Sequence, residues 1–88
     1  MFTVYVLYSK SFNQIYIGFT SDLKNRILSH NQLAIKGHTV KYRPWVIAYT
    51  EEFTTKAEAI KREKQLKSQR GRKFVWDIIH QKFVSSDG

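Results

Sequence analysis

The first twenty residues alternate between apolar and polar positions with the period of β-strands. Apolar side chains stand at positions 2, 4, 6 and 8, and again at positions 15, 17 and 19. Such alternation is typical of strands that place one face on a core. The four residues 10–13 between the two runs predict a hairpin in which Ser9 faces Gln14.

This register decides which side chains share a face of the hairpin. Val6 pairs with Ile17 on the face that we expect to be core, and Tyr5 pairs with Gly18 on the other. Tyr16 lies beside that second pair, so the two phenols are predicted neighbours. A loop one residue longer or shorter would separate them.

A helix is predicted after the hairpin. A cap at Thr20 or Ser21 begins it, it ends near Asn31, and Leu23 and Ile27 mark its buried stripe.

Two polar side chains accompany that stripe. Arg26 and His30 are one helical turn apart and fall on its flank, at the edge of the core. Taken singly, an arginine there is usually on the surface and a histidine is usually a satisfied helix residue.

The second half of the chain predicts one more strand and two more helices. Residues 32–43 are predicted to form a connecting loop that ends before Pro44, and residues 45–49 are predicted to form a strand. A capping box at residues 55–58 opens a helix toward Arg70, with Gly71 as its C-terminal stop. Residues 74–79 have the spacing of a last helix, and residues 85–88 are expected to be a flexible tail.

The predicted fold is therefore α+β. It is a small three-stranded antiparallel sheet flanked by helices, in the order β-β-α-β-α-α, in one domain over residues 1–84.

Glu63 is out of place in the predicted helix that follows the capping box. It falls inside the apolar arc of Ala59, Ile60 and Leu66. A half-buried carboxylate is costly unless it is paired or bound to a metal. Either an internal ion pair with Arg26 or a catalytic role would account for it.

The charge balance narrows the class of partner. The chain has 15 Lys and Arg against 7 Asp and Glu, a net charge of +8. Such a surface attracts phosphate polymers or anionic lipid, although a cationic surface with no dedicated partner is the simpler interpretation.

The composition argues against a disulfide-bonded protein, a thiolate zinc protein and a membrane protein. The chain has no cysteine, which excludes disulfides and thiolate zinc sites. No stretch approaches the ~20 apolar residues of a membrane span, and no amphipathic basic helix is evident, so a cytoplasmic protein that binds nucleic acid is favoured over a membrane-bound one.

Several of these residues, in this order and spacing, resemble the GIY-YIG nucleases. Thr3-Val4-Tyr5 and Tyr16-Ile17-Gly18 match the paired motif, with Thr3 in place of the first glycine. Arg26 stands eight positions after Gly18 and His30 four after that, as in the first helix of the family. Residues 59–67 resemble the helix that carries the metal-binding glutamate of the family, at Glu63.

The resemblance is to short stand-alone bacterial members related to the nuclease domain of the excision-repair incision subunit. It implies an endonuclease that hydrolyses phosphodiester bonds in DNA, structure-specific and linked to repair or recombination. It implies one divalent ion, Mg²⁺ or Mn²⁺, held by Glu63. Arg26 would stabilise the transition state, and Tyr5 or Tyr16, helped by His30, would deprotonate water.

The resemblance also implies a binding surface for the substrate. Gly18 would leave room for the scissile phosphate. The expected backbone contacts are Lys24, Lys41, Arg43, Arg62, Lys67 and Arg70, with Lys61, Lys64, Arg72 and Lys73 extending the same surface.

Two other functions stay open from the sequence. In the first, the chain is a nucleic-acid-binding module of the same fold that cleaves little. In the second, it is an interaction domain that binds an acidic protein. The absence of a base-reading helix predicts low sequence specificity or reliance on a protein partner. The choice between DNA and RNA, and the oligomeric state, are left open.

Overall fold

The computed structural model describes residues 1–33 and 38–84. The strands are β1 (Phe2–Ser9), β2 (Gln14–Thr20) and β3 (Val46–Phe53), and the helices are α1 (Leu23–Leu28), α2 (Lys56–Lys67) and α3 (Gln69–Ile79). A π-helical turn (Ser29–Leu33) continues α1, a 3-10 helix spans His38–Tyr42, and a second π-helical turn (His80–Val84) follows α3. The predicted α+β class and the order β-β-α-β-α-α are confirmed. The predicted tail 85–88 lies outside the described residues.

The β1–β2 hairpin has the predicted register. Tyr5 pairs with Gly18, and Ser9 pairs with Gln14. Asn13 closes the loop with a φ of 53°, a left-handed conformation that asparagine tolerates better than most residues. Its Oδ1 accepts a hydrogen bond from the Tyr8 hydroxyl at 3.0 Å. Because this loop sets the register of the hairpin, Tyr5 and Tyr16 lie on the same face of the sheet.

The sheet is antiparallel throughout, with strand order β2-β1-β3. One face packs against α2 and α3; its core consists of Val4, Val6, Tyr8, Ile17, Ala48, Ala59, Leu66, Val75 and Ile79. The other face is also covered; Tyr5, Leu7 and Trp45 are buried there, against Tyr16, Leu23, Ile27 and Tyr42. The sequence analysis expected a core on the first face alone. Central strands that are buried on both faces read as continuous apolar runs, as residues 4–8 do.

β3 runs further than predicted, to Phe53, and begins after Trp45. Its pairing with β1 is irregular, because Leu7 pairs with Ile47 while Val6 pairs with Tyr49. Ala48 is therefore the extra residue of a bulge. Its carbonyl accepts a hydrogen bond from Lys82 Nζ at 2.8 Å, which joins the π-helical turn after α3 to the sheet.

The start of α1 differs from the prediction. Asp22 is the N-cap, and its carboxylate accepts a hydrogen bond from the Asn25 amide at 3.2 Å. Thr20, one of the two predicted caps, instead accepts from the Asp22 amide at 3.0 Å. The prediction of a cap at Thr20 or Ser21 was wrong by one or two residues, a usual error at helix ends.

The two predicted helices after the capping box are present, but the break between them lies at Ser68 and not at Gly71. The box is confirmed, since Thr55 Oγ1 accepts from the Glu58 amide at 3.2 Å. Ser68 ends α2 and caps α3, donating to the Gln65 carbonyl at 2.5 Å and accepting from the Gly71 amide at 3.2 Å.

Gly71 lies inside the first turn of α3 and is not a C-terminal stop. A Cβ there would lie 2.0 Å from the Gln65 carbonyl oxygen and 2.5 Å from Leu66 Cα. The glycine is needed because the two helices approach closely at this corner.

Within the described residues, none of the helices has the length and apolar character needed to cross a bilayer.

Candidate active site

Tyr5 lies in the middle of β1 and points to the face that α1 covers. Only 1% of its surface is exposed, and its hydroxyl lies 3.0 Å from Nε2 of His30. Its ring centroid is 6.2 Å from that of Tyr16. A Cβ at position 18 would lie 2.8 Å from the Tyr5 hydroxyl. Gly18 was expected to make room for a phosphate, and in the structure it makes room for this phenol.

His30 joins the two tyrosines to a fourth side chain. Its exposed fraction is 7%, and its ring centroid is 4.7 Å from that of Tyr16. The Nδ1 atom lies 3.0 Å from Thr39 Oγ1, opposite the contact of Nε2 with Tyr5. Both ring nitrogens are therefore engaged. A hydroxyl can donate or accept, so Thr39 suits either neutral tautomer.

The backbone around His30 is held by residues of the following segment. Arg43 donates from Nε to the His30 carbonyl at 2.6 Å and from Nη2 to the Ser29 carbonyl at 3.2 Å. The Asn31 side chain donates from Nδ2 to the Trp45 carbonyl at 3.0 Å, and its Oδ1 accepts from the Trp45 backbone N–H at 2.6 Å. Arg43, predicted as a nucleic-acid contact, thus also supports the π-helical turn that carries the histidine. Such turns recur at functional sites.

Arg26 is exposed on α1. It belongs to a surface cleft of about 350 Å³ lined by Thr20, Asp22, Asn25, Arg26 and Ser29. Within residues 1–33 and 38–84, no carboxylate forms an ion pair with its guanidinium. The guanidinium is therefore open to an anionic ligand.

Glu63 lies on the side of α2 that carries the buried Ala59 and Leu66. Its side chain is 18% exposed and pairs with Lys67 at 3.6 Å. The alternative ion pair with Arg26 is therefore not formed. At this distance the pair with Lys67 is loose, so the carboxylate keeps lone pairs for another ligand.

Burial and three neighbouring side chains act on the pKa of the Tyr5 hydroxyl. Burial raises the pKa of Tyr5 above its ordinary value, the charge of Tyr16 adds to that rise, Arg26 lowers the pKa, and Glu63 raises it. Residues from both strands of the hairpin, from α1 and from α2 are thus within electrostatic range of one phenol. Tyr16 and His30 contact Tyr5 directly, whereas Arg26 and Glu63 act on its hydroxyl through their charge.

The pKa of His30 is shifted in the direction that keeps its imidazole neutral. Burial lowers its pKa below the ordinary value, and the positive charges of Arg26 and Arg43 lower it further. A neutral imidazole has one nitrogen lone pair. The ring can therefore accept a proton from the Tyr5 hydroxyl when Nδ1 carries the hydrogen.

A second cleft, of about 170 Å³, lies beside Tyr16 at the edge strand β2. Its lining consists of Ile15, Tyr16, Ile17, Lys67 and Arg72. Arg72 Nε donates to the Lys67 carbonyl at 3.2 Å. Two cations therefore lie next to the more exposed of the two phenols, and Lys67 also pairs loosely with Glu63.

The other predicted substrate contacts are spread over the molecule. Lys24, Lys41 and Arg70 are exposed. Arg62 is occupied by Glu51, to which it donates from Nε at 3.0 Å and from Nη2 at 2.9 Å. Its guanidinium carbon also lies 5.6 Å from the centre of the Phe74 ring. Arg62 is thus part of an internal network on the α2–α3 side.

The donor set fits a single hard divalent cation. Among the residues that the structure describes, no three His, Cys, Asp or Glu side chains gather into a metal cluster. Mg²⁺ commonly takes one or two carboxylates and fills its remaining positions with water and substrate phosphate. Glu63, a partly exposed and loosely paired carboxylate, suits that role.

Three supporting residues were missed by the sequence analysis. Thr39 contacts the His30 ring, Asn31 joins the turn to Trp45, and the Trp45 indole donates to the Thr39 carbonyl at 2.8 Å. Thr39 is an isolated residue in a segment without periodicity, and Trp45 was assigned to the start of a strand, so no pattern marked either as a support of the histidine. Asn31 could have been found, since it follows a candidate site histidine directly.

Comparisons with known proteins identify the family of the chain. The profile of the GIY-YIG catalytic domain matches residues 1–75. A UPF0213 protein of Staphylococcus haemolyticus is 37% identical over 65 residues, covering 74% of this chain and 78% of that protein. A UPF0213 protein of Bacillus velezensis is 36% identical over 55 residues, covering 62% and 56%.

A solved structure is similar along the whole chain. The solution NMR structure of a UPF0213 protein from Bacillus halodurans superposes with a TM-score of 0.55 at 26% identity, covering 98% of this chain and 94% of the other. The profile match spans the hairpin, α1 with the π-helical turn that continues it, and α2. These elements carry the two tyrosines, the arginine, the histidine and the glutamate. The chain belongs to the GIY-YIG catalytic domain family, a family of nucleases.

Proposed function

We propose that this chain is a metal-dependent endonuclease that hydrolyses phosphodiester bonds in DNA. The observation that best supports it is the convergence on the Tyr5 hydroxyl. A buried phenol in contact with a neutral imidazole, and within range of an arginine and a carboxylate, has the parts that a phosphodiesterase needs.

Glu63 would hold the metal ion, Mg²⁺ or Mn²⁺. When bound, a divalent ion polarises a phosphoryl oxygen and neutralises part of the charge that develops during attack. The loose pair with Lys67 can be exchanged for this ligand without leaving an unpaired buried charge, since Lys67 is half exposed.

Tyr5 and His30 would move the proton of the attacking water. The raised pKa of Tyr5 disfavours a free phenolate. A relay avoids that species: the water proton passes to the Tyr5 oxygen while the Tyr5 proton passes to Nε2 of His30. In the tautomer that carries its hydrogen on Nδ1, Thr39 Oγ1 accepts that hydrogen and the Nε2 lone pair faces the phenol.

Arg26 would bind the non-bridging oxygens of the scissile phosphate. Its guanidinium is exposed, has no carboxylate partner among the described residues, and acts on Tyr5 electrostatically. A planar guanidinium suits two phosphate oxygens, and its charge stabilises the transition state more than the ground state.

The cleft beside Tyr16 would bind the adjoining backbone. Lys67 and Arg72 line it, and the net charge of +8 attracts a phosphate polymer to the protein as a whole. Such contacts position the strand but carry no sequence information.

The test is cleavage of supercoiled plasmid, branched DNA and RNA, each with Mg²⁺, with Mn²⁺ and with EDTA. Glu63→Gln and Arg26→Ala should abolish metal-dependent nicking while leaving the affinity measured in EDTA nearly unchanged. Glu58→Gln is the matched control, since Glu58 is an exposed carboxylate of the same helix whose capping contact a glutamine can keep. Nicking that persists in Glu63→Gln and Arg26→Ala would refute the assignment.

One observation favours a second candidate, a nucleic-acid-binding module that does not cleave. Among residues 1–33 and 38–84, Glu63 is the single carboxylate that acts on Tyr5, and the pKa of that phenol is raised. A site of this kind can bind phosphate without activating water. Salt-sensitive binding in EDTA, with no cleavage of any substrate in either metal, would support the module and exclude the enzyme.

A further inference from the structure

The tip of the β1–β2 hairpin presents an aromatic side chain that the proposed chemistry does not use. Phe12 is 50% exposed, although the loop that carries it is held in place. Asn13 fixes the loop by its left-handed backbone and by the hydrogen bond from Tyr8. The ring is thus presented on a defined turn, where little ordering remains to be done on binding.

Phe12 is joined to the candidate active site by a row of ring contacts. Its centroid lies 5.5 Å from that of Tyr42, edge to face. Tyr42 lies 6.3 Å from Trp45, and Trp45 lies 6.4 Å from Tyr16. Tyr16 in turn contacts His30. The exposed ring is therefore the outer end of the same face that carries the site.

Cations flank this outer end. Lys10 precedes Phe12 in the hairpin loop, and Lys41 precedes Tyr42 in the 3-10 helix; both are exposed. An exposed aromatic ring beside lysines matches the way in which proteins bind single strands, with bases stacked on rings and phosphates held by cations. A base paired inside a duplex offers no free face to such a ring.

We propose that Phe12 is a stacking platform for an unpaired base of the DNA substrate. The proposal rests on the nuclease function above and deepens it. The substrate then has a single-stranded arm next to the cleaved strand, with that arm running along the aromatic row from Tyr16 toward the hairpin tip.

The test measures binding by fluorescence anisotropy in EDTA, so that cleavage plays no part. The probes are a blunt duplex and the same duplex with an unpaired thymine arm of roughly ten nucleotides. Wild-type protein should prefer the armed duplex. Phe12→Ala should weaken binding to the armed duplex by about 5- to 100-fold and leave blunt-duplex binding unchanged.

Matched variants separate stacking from other effects. Phe12→Trp keeps a large ring and should retain the preference, whereas Phe12→Leu keeps apolar bulk without a ring and should lose it. Phe74→Ala is the control, since Phe74 is 40% exposed but contacts Tyr49 and Arg62 on the opposite face. Circular dichroism checks that each variant is folded.

The outcomes divide clearly. Equal affinity of wild type and Phe12→Ala for the armed duplex overturns the proposal, as does an equal loss on both probes or full retention by Phe12→Leu. If the wild-type protein shows the Phe12-dependent preference and yet cuts nothing in Mg²⁺ or Mn²⁺, the nuclease proposal fails and the stacking platform stands.

Discussion

The Tyr5 hydroxyl and Nε2 of His30 lie 3.0 Å apart, although 25 positions separate the two residues in the chain. β1 positions the phenol and the π-helical turn after α1 positions the imidazole. Because the contact is buried and joins two titratable groups, both the proposed chemistry and the stability of the protein depend on it.

Removing the Tyr5 hydroxyl should abolish most nicking without unfolding the protein. In Tyr5→Phe the ring still fills its place beneath α1, but the proposed relay to His30 is lost. General acid–base groups typically contribute ~10²–10⁴-fold, so we expect a loss of at least about 10²-fold in the nicking rate. The measurement is the initial rate on supercoiled plasmid in Mg²⁺, together with thermal unfolding.

Tyr8→Phe is the matched control. Tyr8 is also buried in β1, at 3% exposure, and its hydroxyl also donates to a side chain, Asn13. It lies on the other face of the sheet. The change should lower the free energy of unfolding by about 1 kcal/mol and leave the nicking rate intact. Equal rates for Tyr5→Phe and wild type would exclude a chemical role for the buried phenol.

The lowered pKa of His30 predicts that the protein loses stability on acidification. The unfolded chain takes up this proton near the ordinary value of 6.5, and the folded chain only at a lower pH. Between those values the unfolded state binds more protons, so the free energy of unfolding falls as the pH drops below about 6.5. Above that pH the contribution is fully present. Urea unfolding from about pH 8 to about pH 5 measures it.

His30→Gln should remove this slope, whereas His80→Gln, a change at an exposed histidine, should keep it. Glu51 does not interfere. Although burial alone would raise its pKa, hydrogen bonds from Arg62 and Tyr49 bring it below the ordinary value of 4.5. Its contribution is therefore lost only in more acid solution. An unchanged slope in His30→Gln would mean that another group titrates in this range.

Gly18→Ala should impair activity more than stability. The added Cβ would lie 2.8 Å from the Tyr5 hydroxyl, so the phenol must shift, and we expect the shift to disturb its contact with His30. A displacement of about 1 Å in a catalytic group can lower the rate about 10²-fold. The free energy of unfolding should fall by about 1–3 kcal/mol, as is typical of overpacking. Nicking rates and urea unfolding test both effects.

Gly71→Ala supplies the contrast. Its Cβ would lie 2.0 Å from the backbone carbonyl oxygen of Gln65, and neither α2 nor α3 can yield locally. We expect a loss of about 3 kcal/mol in the free energy of unfolding, with nicking reduced only in proportion to the folded fraction. If Gly18→Ala nicked at the wild-type rate, the space opposite Tyr5 would not be critical.

The sequence could predict the hairpin because its register follows from local rules. A four-residue loop and a two-residue period place Tyr5 opposite Gly18, and the structure confirms it. The motif spacing likewise singled out Tyr16 and His30, which contact Tyr5, and Arg26 and Glu63, which act on it electrostatically. The burial of the Tyr5 face was not predicted, because it depends on Trp45, which packs across the sheet from outside any regular element.

The residues that hold His30 in place could not be predicted from local sequence patterns either. Thr39 and Arg43 reach the histidine from nine and thirteen positions away, and neither lies in a periodic segment. The corner at Ser68 was missed for a different reason. A glycine shortly after a helical run usually ends it, but here Gly71 permits a close helix contact three residues after the real break.

The salt dependence of DNA binding should separate cations that contact phosphate from those with internal partners. Each neutralised phosphate adds close to one unit to the slope of log affinity against log salt. Lys67→Ala and Arg72→Ala, in the cleft beside Tyr16, should each flatten this slope by about 1. Titration of a labelled duplex in EDTA over a range of salt concentrations gives the slopes.

Arg62→Ala is the informative comparison. The sequence places Arg62 among the phosphate contacts, but its guanidinium is bound to Glu51 through two nitrogens at 3.0 and 2.9 Å. The pair is partly exposed, at 30% and 23%, so its loss should lower the free energy of unfolding by about 1 kcal/mol. We expect the salt slope to stay at the wild-type value. A slope flattened as much as in Arg72→Ala would show that DNA displaces Glu51, and the binding surface would then extend across α2.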